Sequence, residues 1–173
     1  MVELLGRQSC AYKVGLQMLT EEGPEIVRSL VAMGKEVFLD LKVHEIPNSV
    51  AGAVAAAGKL GASMVTVHAS GGSSVLRSAV EAARPYPQLR VLALTVITSL
   101  TDQDLPEIGL APSVIQQVER LGRLAASQGC HGVVASAQEA ALLHKILPVG
   151  TLIVTPGIHL YDTAINDQSR VAT

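Results

Sequence analysis

The segment 38–49 carries the residues of this 173-residue chain that are best suited to chemistry. Asp40 and Lys42 are two residues apart in a run that is typical of a strand, and side chains at that spacing point to the same face. A carboxylate and an ammonium group would therefore stand side by side near the strand's carboxyl end. Isolated charges on a buried face are costly unless they are paired. The spacing thus predicts a functional charge pair, with a structural salt bridge as the alternative.

Lys13 and Glu45 are candidates to join this pair. Lys13 lies in an earlier strand candidate, and Glu45 follows Lys42 by three residues. A network of alternating ammonium and carboxylate groups keeps each member ionised, which places an ammonium acid beside a carboxylate able to repel an anion. A solvent-exposed role stays open for Lys13, and for Glu45 so does the role of a first-turn glutamate at a helix N-terminus.

The elements that must position these residues form an alternating pattern. Short apolar runs alternate with Ala- and Leu-rich helical segments, which predicts an α/β chain of successive βα units. Nearly continuous apolar runs are typical of parallel strands covered by helices. Ligands of such sheets bind at the carboxyl ends of the strands. The predicted strands are residues 11–15, 36–42, 63–69, 90–98, 132–136 and 151–155.

Helix boundaries are marked by proline, glycine and capping residues. We expect Pro24 in the first turn of one helix and Pro47 at the start of an Ala-rich helix that Gly61 closes. Residues 113–128 form a further helix, and Ser136 with Glu139 forms a capping box for the last one, which runs to about residue 147. The pair Gly71 and Gly72 lacks the other glycines of a dinucleotide-binding motif, so it predicts a turn before a helix.

The composition is that of one globular domain and excludes several classes of function. The chain is 49% hydrophobic and 16% charged, which excludes disorder, and its net charge of −2 with only four aromatic residues gives no indication of a nucleic acid or membrane partner. No signal peptide or apolar stretch of membrane-spanning length is present. Cys10 and Cys130 have neither metal-ligand nor disulfide-scaffold spacing. We therefore expect a cytoplasmic protein without a bound metal.

In the segment 38–49 and in several later motifs, the chain resembles the bacterial members of the orotidine 5′-phosphate decarboxylase family. Residues 38–49 are similar to the family signature, in which Asp-x-Lys-x-x-Asp precedes Ile-Pro-Asn-Thr. The similarity spans nearly the whole chain, with the motifs in the family's order. The further motifs are Val-His-Ala-Ser-Gly-Gly at 67–72, Val-Ile-Thr-Ser at 96–99, Ser-Ala-Gln-Glu-Ala at 136–140 and Thr-Pro-Gly-Ile at 155–158.

The resemblance implies a TIM-type (β/α)8 barrel that works as a homodimer with shared active sites. It would convert orotidine 5′-monophosphate to UMP and CO2 in pyrimidine biosynthesis without metal or organic cofactor. Lys42 would donate the proton to C6, Asp40 would lie beside the substrate carboxylate, and Lys13 would orient the cluster and the ribose. The other implied positions are Glu45 from the neighbouring subunit, Ser49 at the ribose across the interface, Thr98 at the pyrimidine amide edge, and His159 and Gln168 at the phosphate.

Three of these positions depart from the family pattern. Glu45 stands where the family has Asp, Ser49 where it has Thr, and His159 where bacterial members have Arg. The added methylene of Glu45 displaces a carboxylate by about an ångström, and a bidentate phosphate contact is lost at His159.

The length matters as well, because 173 residues fall short of the roughly 200 that a closed eight-unit barrel needs. The resemblance assigns the six strand candidates to the second through seventh strands of the barrel. We therefore expect residues 1–173 to form a single, incomplete barrel domain with about six of the eight βα units.

Two alternatives stay open beside the decarboxylase. One is a non-catalytic or degenerate homologue that keeps affinity for a nucleotide. The other is a related Mg²⁺-dependent sugar-phosphate decarboxylase or aldolase that uses the same Asp40 and Lys42 pair. The motifs at 46–48 and 98–99 favour the orotidylate reaction over the sugar-phosphate one.

Overall fold

One parallel sheet organises the molecule. A computed structural model describes residues 6–158, and its six strands pair in chain order, each parallel to the next. In a β/α barrel each strand pairs with the next one in the chain, and a helix connects the two. In a doubly wound sheet, by contrast, the order of the strands reverses at a switch point. The chain therefore has the predicted α/β fold of TIM type, with six strands in the described part. The strands are β1 (Ala11–Gly15), β2 (Glu36–Val43), β3 (Met64–His68), β4 (Arg90–Leu94), β5 (Gly132–Val134) and β6 (Leu152–Val154).

All six predicted strands are present, but residue type alone does not predict where each strand ends. The prediction carried the fourth strand to residue 98, but β4 ends at Leu94. Thr95, Val96 and Ile97 continue the β-branched, apolar pattern beyond the last pair of the ladder, so residue type alone does not mark the end. The hydroxyl of Thr95 donates to the carbonyl oxygen of Val134 at 2.9 Å, which ties this exit to β5.

The helices begin and end close to the predicted residues, with two differences. Pro24 precedes its helix instead of lying in the first turn. Helix α1 was not predicted; it has only seven residues, and none of them is buried. The capping box is present, with the N–H of Ser136 donating to Glu139 Oε2 at 2.8 Å. None of the helices within residues 6–158 is long and apolar enough to cross a membrane. The helices are α1 (Leu16–Glu22), α2 (Glu25–Ala32), α3 (Pro47–Lys59), α4 (Ser73–Ala83), α5 (Val114–Ser127) and α6 (Ala137–Ile146).

Apolar side chains pack on both faces of the sheet. The larger cluster lies between the strands and the helices and includes the fully buried Leu39, Val65 and Val133. Because side chains alternate along a strand, their neighbours point to the opposite face. That inner face carries a smaller cluster, which forms the base of the site described next. Its members are Leu92, Leu94 and Val134, with Phe38, Met64 and Val154 packed against them.

Candidate active site

A cavity of about 520 Å³ opens at the carboxyl ends of the strands. Strand β1 contributes Lys13 to its lining, and β2 contributes Phe38, Asp40 and Lys42. Its volume is within the range of roughly 300–1,000 Å³ that is usual for pockets that bind small molecules. Apolar side chains from the inner cluster form the base, so the charged groups stand above an apolar surface. The remaining lining residues are Leu94, Ile97, Thr98, Val134, Val154, Thr155, Pro156 and Gly157.

The charged residues of the cavity form a compact cluster around one carboxylate. Lys42 Nζ donates to Asp40 Oδ2 at 2.9 Å, and Lys13 Nζ lies 3.4 Å from the same oxygen. The side chain of Asp40 is 13% exposed, whereas those of Lys13 and Lys42 are 55% and 41% exposed. The sequence predicted this juxtaposition. Its consequence is a largely shielded carboxylate with two more exposed ammonium groups on the open side of the cavity.

The surroundings of Asp40 keep it ionised. Burial works to raise the pKa of Asp40, but the hydrogen bond and charge of Lys42, the charge of Lys13 and a hydrogen bond from Thr66 outweigh it, so the pKa falls below its usual value. At neutral pH the cluster therefore holds one negative and two positive groups. Such a cluster attracts an anionic ligand while keeping an acid, the ammonium of Lys42, charged and oriented.

The backbone of Lys42 is in a conformation that non-glycine residues rarely adopt. Its φ is 50°, in the left-handed region. Between Leu39 and Val43 the pairing register shifts, with four residue steps on β2 against two on β3. Such strain costs of the order of 1–3 kcal/mol and is found most often at functional sites. Despite the bulge, Lys42 lines the cavity together with Asp40. Both side chains therefore lie on the same face of the sheet, as their two-residue spacing predicts.

The other predicted site residues lie in different environments. Thr98 is buried and lines the cavity. Glu45, in the loop before α3, and Ser49, in the first turn of α3, are exposed, and within the part of the chain the structure describes neither lines the cavity. His159 and Gln168 lie outside the described residues.

Sequence reasoning missed Thr66, which contacts both central residues of the cluster. The Lys42 N–H donates to Thr66 Oγ1 at 2.8 Å, and the Thr66 hydroxyl donates to Asp40 Oδ1 at 3.1 Å. A signal was available, because Thr66 lies between two apolar residues, Val65 and Val67, at the centre of a strand, and a buried hydroxyl needs hydrogen-bond partners.

Three histidines of the described chain, His44, His68 and His131, have neighbours that define their surroundings. The rings of His44 and His68 stack with centroids 4.8 Å apart. Burial, followed by the charges of His44 and Lys42, lowers the pKa of His68 below its usual value, so its ring is neutral at pH 7. His131 has a structural role, since its Nδ1 accepts the N–H of Val91 at 3.1 Å.

The donor set of the cavity is poorly suited to a divalent cation. Asp40 is the one carboxylate among the lining residues in the stretch 6–158, and two ammonium groups already contact it. Mg²⁺ is usually held by several oxygen ligands, commonly carboxylates and water. Across the same residues, no group of three or more His, Cys, Asp or Glu side chains is arranged to hold a metal ion.

Two curated proteins of similar sequence carry the same name. The orotidine 5′-phosphate decarboxylase of Laribacter hongkongensis is 49% identical to this chain, over 99% of this chain and 71% of that protein. The orotidine 5′-phosphate decarboxylase of Alcanivorax borkumensis is 47% identical, over 100% of this chain and 75% of that protein. Both relatives are therefore longer than this chain, which spans about three-quarters of their length.

Solved structures give the same result for the fold. The crystal structure of an uncharacterized conserved protein from Geobacillus kaustophilus matches with a TM-score of 0.85 and 34% identity, over 90% of this chain and 75% of that one. The orotidine 5′-phosphate decarboxylase of Lactobacillus acidophilus matches with a TM-score of 0.80 and 35% identity, over 85% and 68%. A family model described as orotidine 5′-phosphate decarboxylase / HUMPS family matches residues 1–173. With this match, and with relatives close to half identical along the chain, the protein belongs to the orotidine 5′-phosphate decarboxylase / HUMPS family.

Proposed function

We propose that the cavity decarboxylates orotidine 5′-monophosphate to UMP and CO2 without a cofactor. The observation that carries the proposal is the cluster of Asp40, Lys42 and Lys13, which stands over an apolar base at the carboxyl ends of the strands. Loss of CO2 leaves an electron pair on C6 in the plane of the pyrimidine, outside its π system. Preorganised charge is then the available means of stabilisation, and the cluster supplies it.

Lys42 is the proton donor in this proposal. The bond between C6 and the carboxyl carbon breaks, CO2 leaves, and the electron pair remains on C6. That pair takes a proton from Lys42 Nζ, and the neutral amine regains a proton from water. The 2.9 Å contact with Asp40 supports this role, because an adjacent carboxylate keeps Lys42 charged and oriented until the proton moves.

The rest of the cavity orients the nucleotide. Phe38, Val134 and Val154 provide an apolar surface for the pyrimidine, and Thr98 faces its amide edge. We assign the phosphate to the side of the cavity formed by residues 155–157, with the predicted help of His159 and Gln168 from the following segment. Binding energy from a phosphate remote from C6 holds the reacting carbon in place and thereby lowers the barrier.

We further propose a homodimer in which Glu45 and Ser49 complete the site of the neighbouring subunit. Both residues are exposed and do not line their own cavity in the described part of the chain. Between them, at the start of α3, Ile46 is 62% exposed, an apolar side chain in a position suited to burial against a second copy. In an isologous contact of this kind, residues 44–49 of each copy lie against the cavity of the other copy.

The cytoplasm is the compartment we propose. Cys10 is exposed and Cys130 is buried, and both are free thiols. Unpaired cysteines fit a reducing compartment. Biosynthesis of UMP, the role the relatives' name implies, belongs there as well.

Turnover of orotidine 5′-monophosphate by the purified chain tests the reaction. We expect stoichiometric UMP and CO2, at a rate that EDTA leaves unchanged. Binding of UMP without turnover would instead support the non-catalytic homologue. A rate that requires added Mg²⁺, with a sugar phosphate as the better substrate, would support the sugar-phosphate enzyme.

Mixing two inactive variants tests the shared site. Lys42→Ala and Glu45→Ala each remove one contributor, and a mixed dimer regains one intact site only if the two residues of a site come from different subunits. Random exchange of subunits then restores about a quarter of the sites. If Glu45 acts within its own chain, every site in the mixture keeps a defect and no activity returns.

A further inference from the structure

We propose that Thr66 is a positioning residue whose hydroxyl sets the orientation of Asp40 and the backbone of Lys42 together. This inference rests on the roles proposed above for these two residues. Thr66 lies at the centre of β3 and is fully buried. Its oxygen accepts the Lys42 N–H at 2.8 Å, and its hydroxyl donates to Asp40 Oδ1 at 3.1 Å.

The protonation states of the neighbours leave one orientation for this hydroxyl. An ionised carboxylate only accepts hydrogen bonds, and a backbone N–H only donates. The hydroxyl proton must therefore point to Asp40, which leaves an oxygen lone pair for the N–H of Lys42. The Thr66 hydroxyl thus donates one hydrogen bond to Asp40 and accepts one from Lys42, the two residues that carry the proposed chemistry.

Each oxygen of Asp40 has its own set of partners. Three elements bring charged or polar groups to this carboxylate: Lys13 from β1, Lys42 from β2 itself and Thr66 from β3. Both ammonium groups contact Oδ2, whereas Thr66 contacts Oδ1. The hydroxyl therefore fixes the rotation of the carboxylate and directs Oδ2 toward the two lysines.

The same hydroxyl replaces a backbone acceptor at the bulge. Where four residue steps of β2 face two of β3, the regular ladder is interrupted. The N–H of Lys42, a residue with φ of 50°, donates to the Thr66 side chain instead of a carbonyl oxygen of β3. Holding this strained backbone fixes the point from which the Lys42 side chain reaches Asp40.

Substitutions at Thr66 separate the hydroxyl from the packing of the side chain. Thr66→Val keeps the shape and removes the hydroxyl, whereas Thr66→Ser keeps the hydroxyl and removes a methyl group. Hydrogen bonds to charged groups are worth enough that we expect kcat/KM to fall about tenfold or more in Thr66→Val. Thr66→Ser should stay within about threefold of the wild type. Thr95→Val, which removes a buried hydroxyl just after the end of β4, should also stay within about threefold of the wild type.

A carbon-13 NMR titration of the Asp40 carboxyl group gives a readout that does not need turnover. Removal of a donor raises the pKa of a carboxylate, so we expect the pKa of Asp40 to rise in Thr66→Val and to stay at the wild-type value in Thr66→Ser and Thr95→Val. If the wild type turns over no orotidylate, the proposed reaction fails, but the titration still decides the role of Thr66.

The reverse order of the variants would overturn the inference. A purely packing role makes Thr66→Ser the worse variant and leaves Thr66→Val close to the wild type in both readouts. If Thr66→Val does not fold, Thr66→Ala replaces it and is compared with Thr66→Ser, since both have lost the methyl group and only Ser keeps the hydroxyl. Equal pKa values of Asp40 in Thr66→Ala and Thr66→Ser would then contradict a positioning role for the Thr66 hydroxyl.

Discussion

The pairing of Lys13 with Asp40 should be measurable as a coupling free energy. The substitution is Lys13→Met, which keeps the length of the side chain and removes its charge, combined with Asp40→Asn in a double-mutant cycle. At 3.4 Å two unit charges interact by about 1 kcal/mol at the dielectric constant of water and by about 5 kcal/mol at an effective value of 20. The Lys13 side chain is 55% exposed, so solvent screening favours the low end, about 1 kcal/mol.

The assay is urea unfolding of the four proteins of the cycle at pH 7 and low ionic strength. The cycle is needed because Lys13 and Lys42 also repel each other, so the single substitution Lys13→Met mixes a lost attraction with a relieved repulsion. The parallel cycle for Lys42 and Asp40 should give a larger coupling, since that contact is a 2.9 Å hydrogen bond between charged groups. Salt at 1 M should reduce the Lys13 coupling, because the Debye length then falls to about 3 Å.

Two results would refute this reasoning. A Lys13–Asp40 coupling indistinguishable from zero at low salt would show that the 3.4 Å contact carries no net free energy. A coupling larger than that of Lys42 would show that solvent exposure does not rank the two lysines as argued. The first result would remove Lys13 from the electrostatic cluster, and the second would reverse the ranking of the two lysines.

Three further predictions concern stability and reactivity. A methyl group at Gly132 would lie 2.5 Å from a backbone oxygen of β6, so Gly132→Ala should cost about 1–3 kcal/mol in a thermal melt. Gly52→Ala, in open space on α3, should be neutral or stabilising, and equal Tm values for both would contradict the packing of β5 on β6. The pKa of Asp40 is lowered in the folded state, so its stabilising contribution is complete above the unfolded value near 3.8 and is lost as pH falls through the folded value. The free energy of unfolding should therefore fall more steeply below pH 4 in the wild type than in Asp40→Asn, and parallel curves would contradict the shift. Burial raises the pKa of Cys130 to about 12, so iodoacetamide should modify the exposed Cys10 in the native protein and leave Cys130 intact by mass spectrometry; equal labelling would contradict it.

The sequence predicted the elements that local rules determine. All six strands follow from short apolar runs, and the start of α6 follows from the Ser136 and Glu139 pair, because capping satisfies free N–H groups within a few residues. The charge pair followed from the two-residue spacing of Asp40 and Lys42 and the pleat of a strand. The contact with Lys13 required in addition that the first two strands be neighbours, which the βα alternation implies.

What the sequence did not predict depends on contacts between distant residues. The register shift that gives Lys42 its φ of 50° arises from the pairing of β2 with β3 and leaves no mark in the local residue types. Thr66 was missed for the same reason, since its partners lie 24 and 26 residues away. Helix α1 was missed because it buries none of its residues.

Decarboxylation of orotidine 5′-monophosphate by Lys42→Met tests directly whether Lys42 is the proton donor. Lys42 is proposed to supply both the proton and the charge that stabilises C6, and each effect alone is worth about 10²-fold or more. Lys59→Met, a matched substitution of an exposed lysine at the end of α3, is the control. We expect kcat to fall by about 10⁴-fold or more in Lys42→Met and to be unchanged in Lys59→Met. A Lys42→Met protein that turns over within about tenfold of the wild type would contradict it.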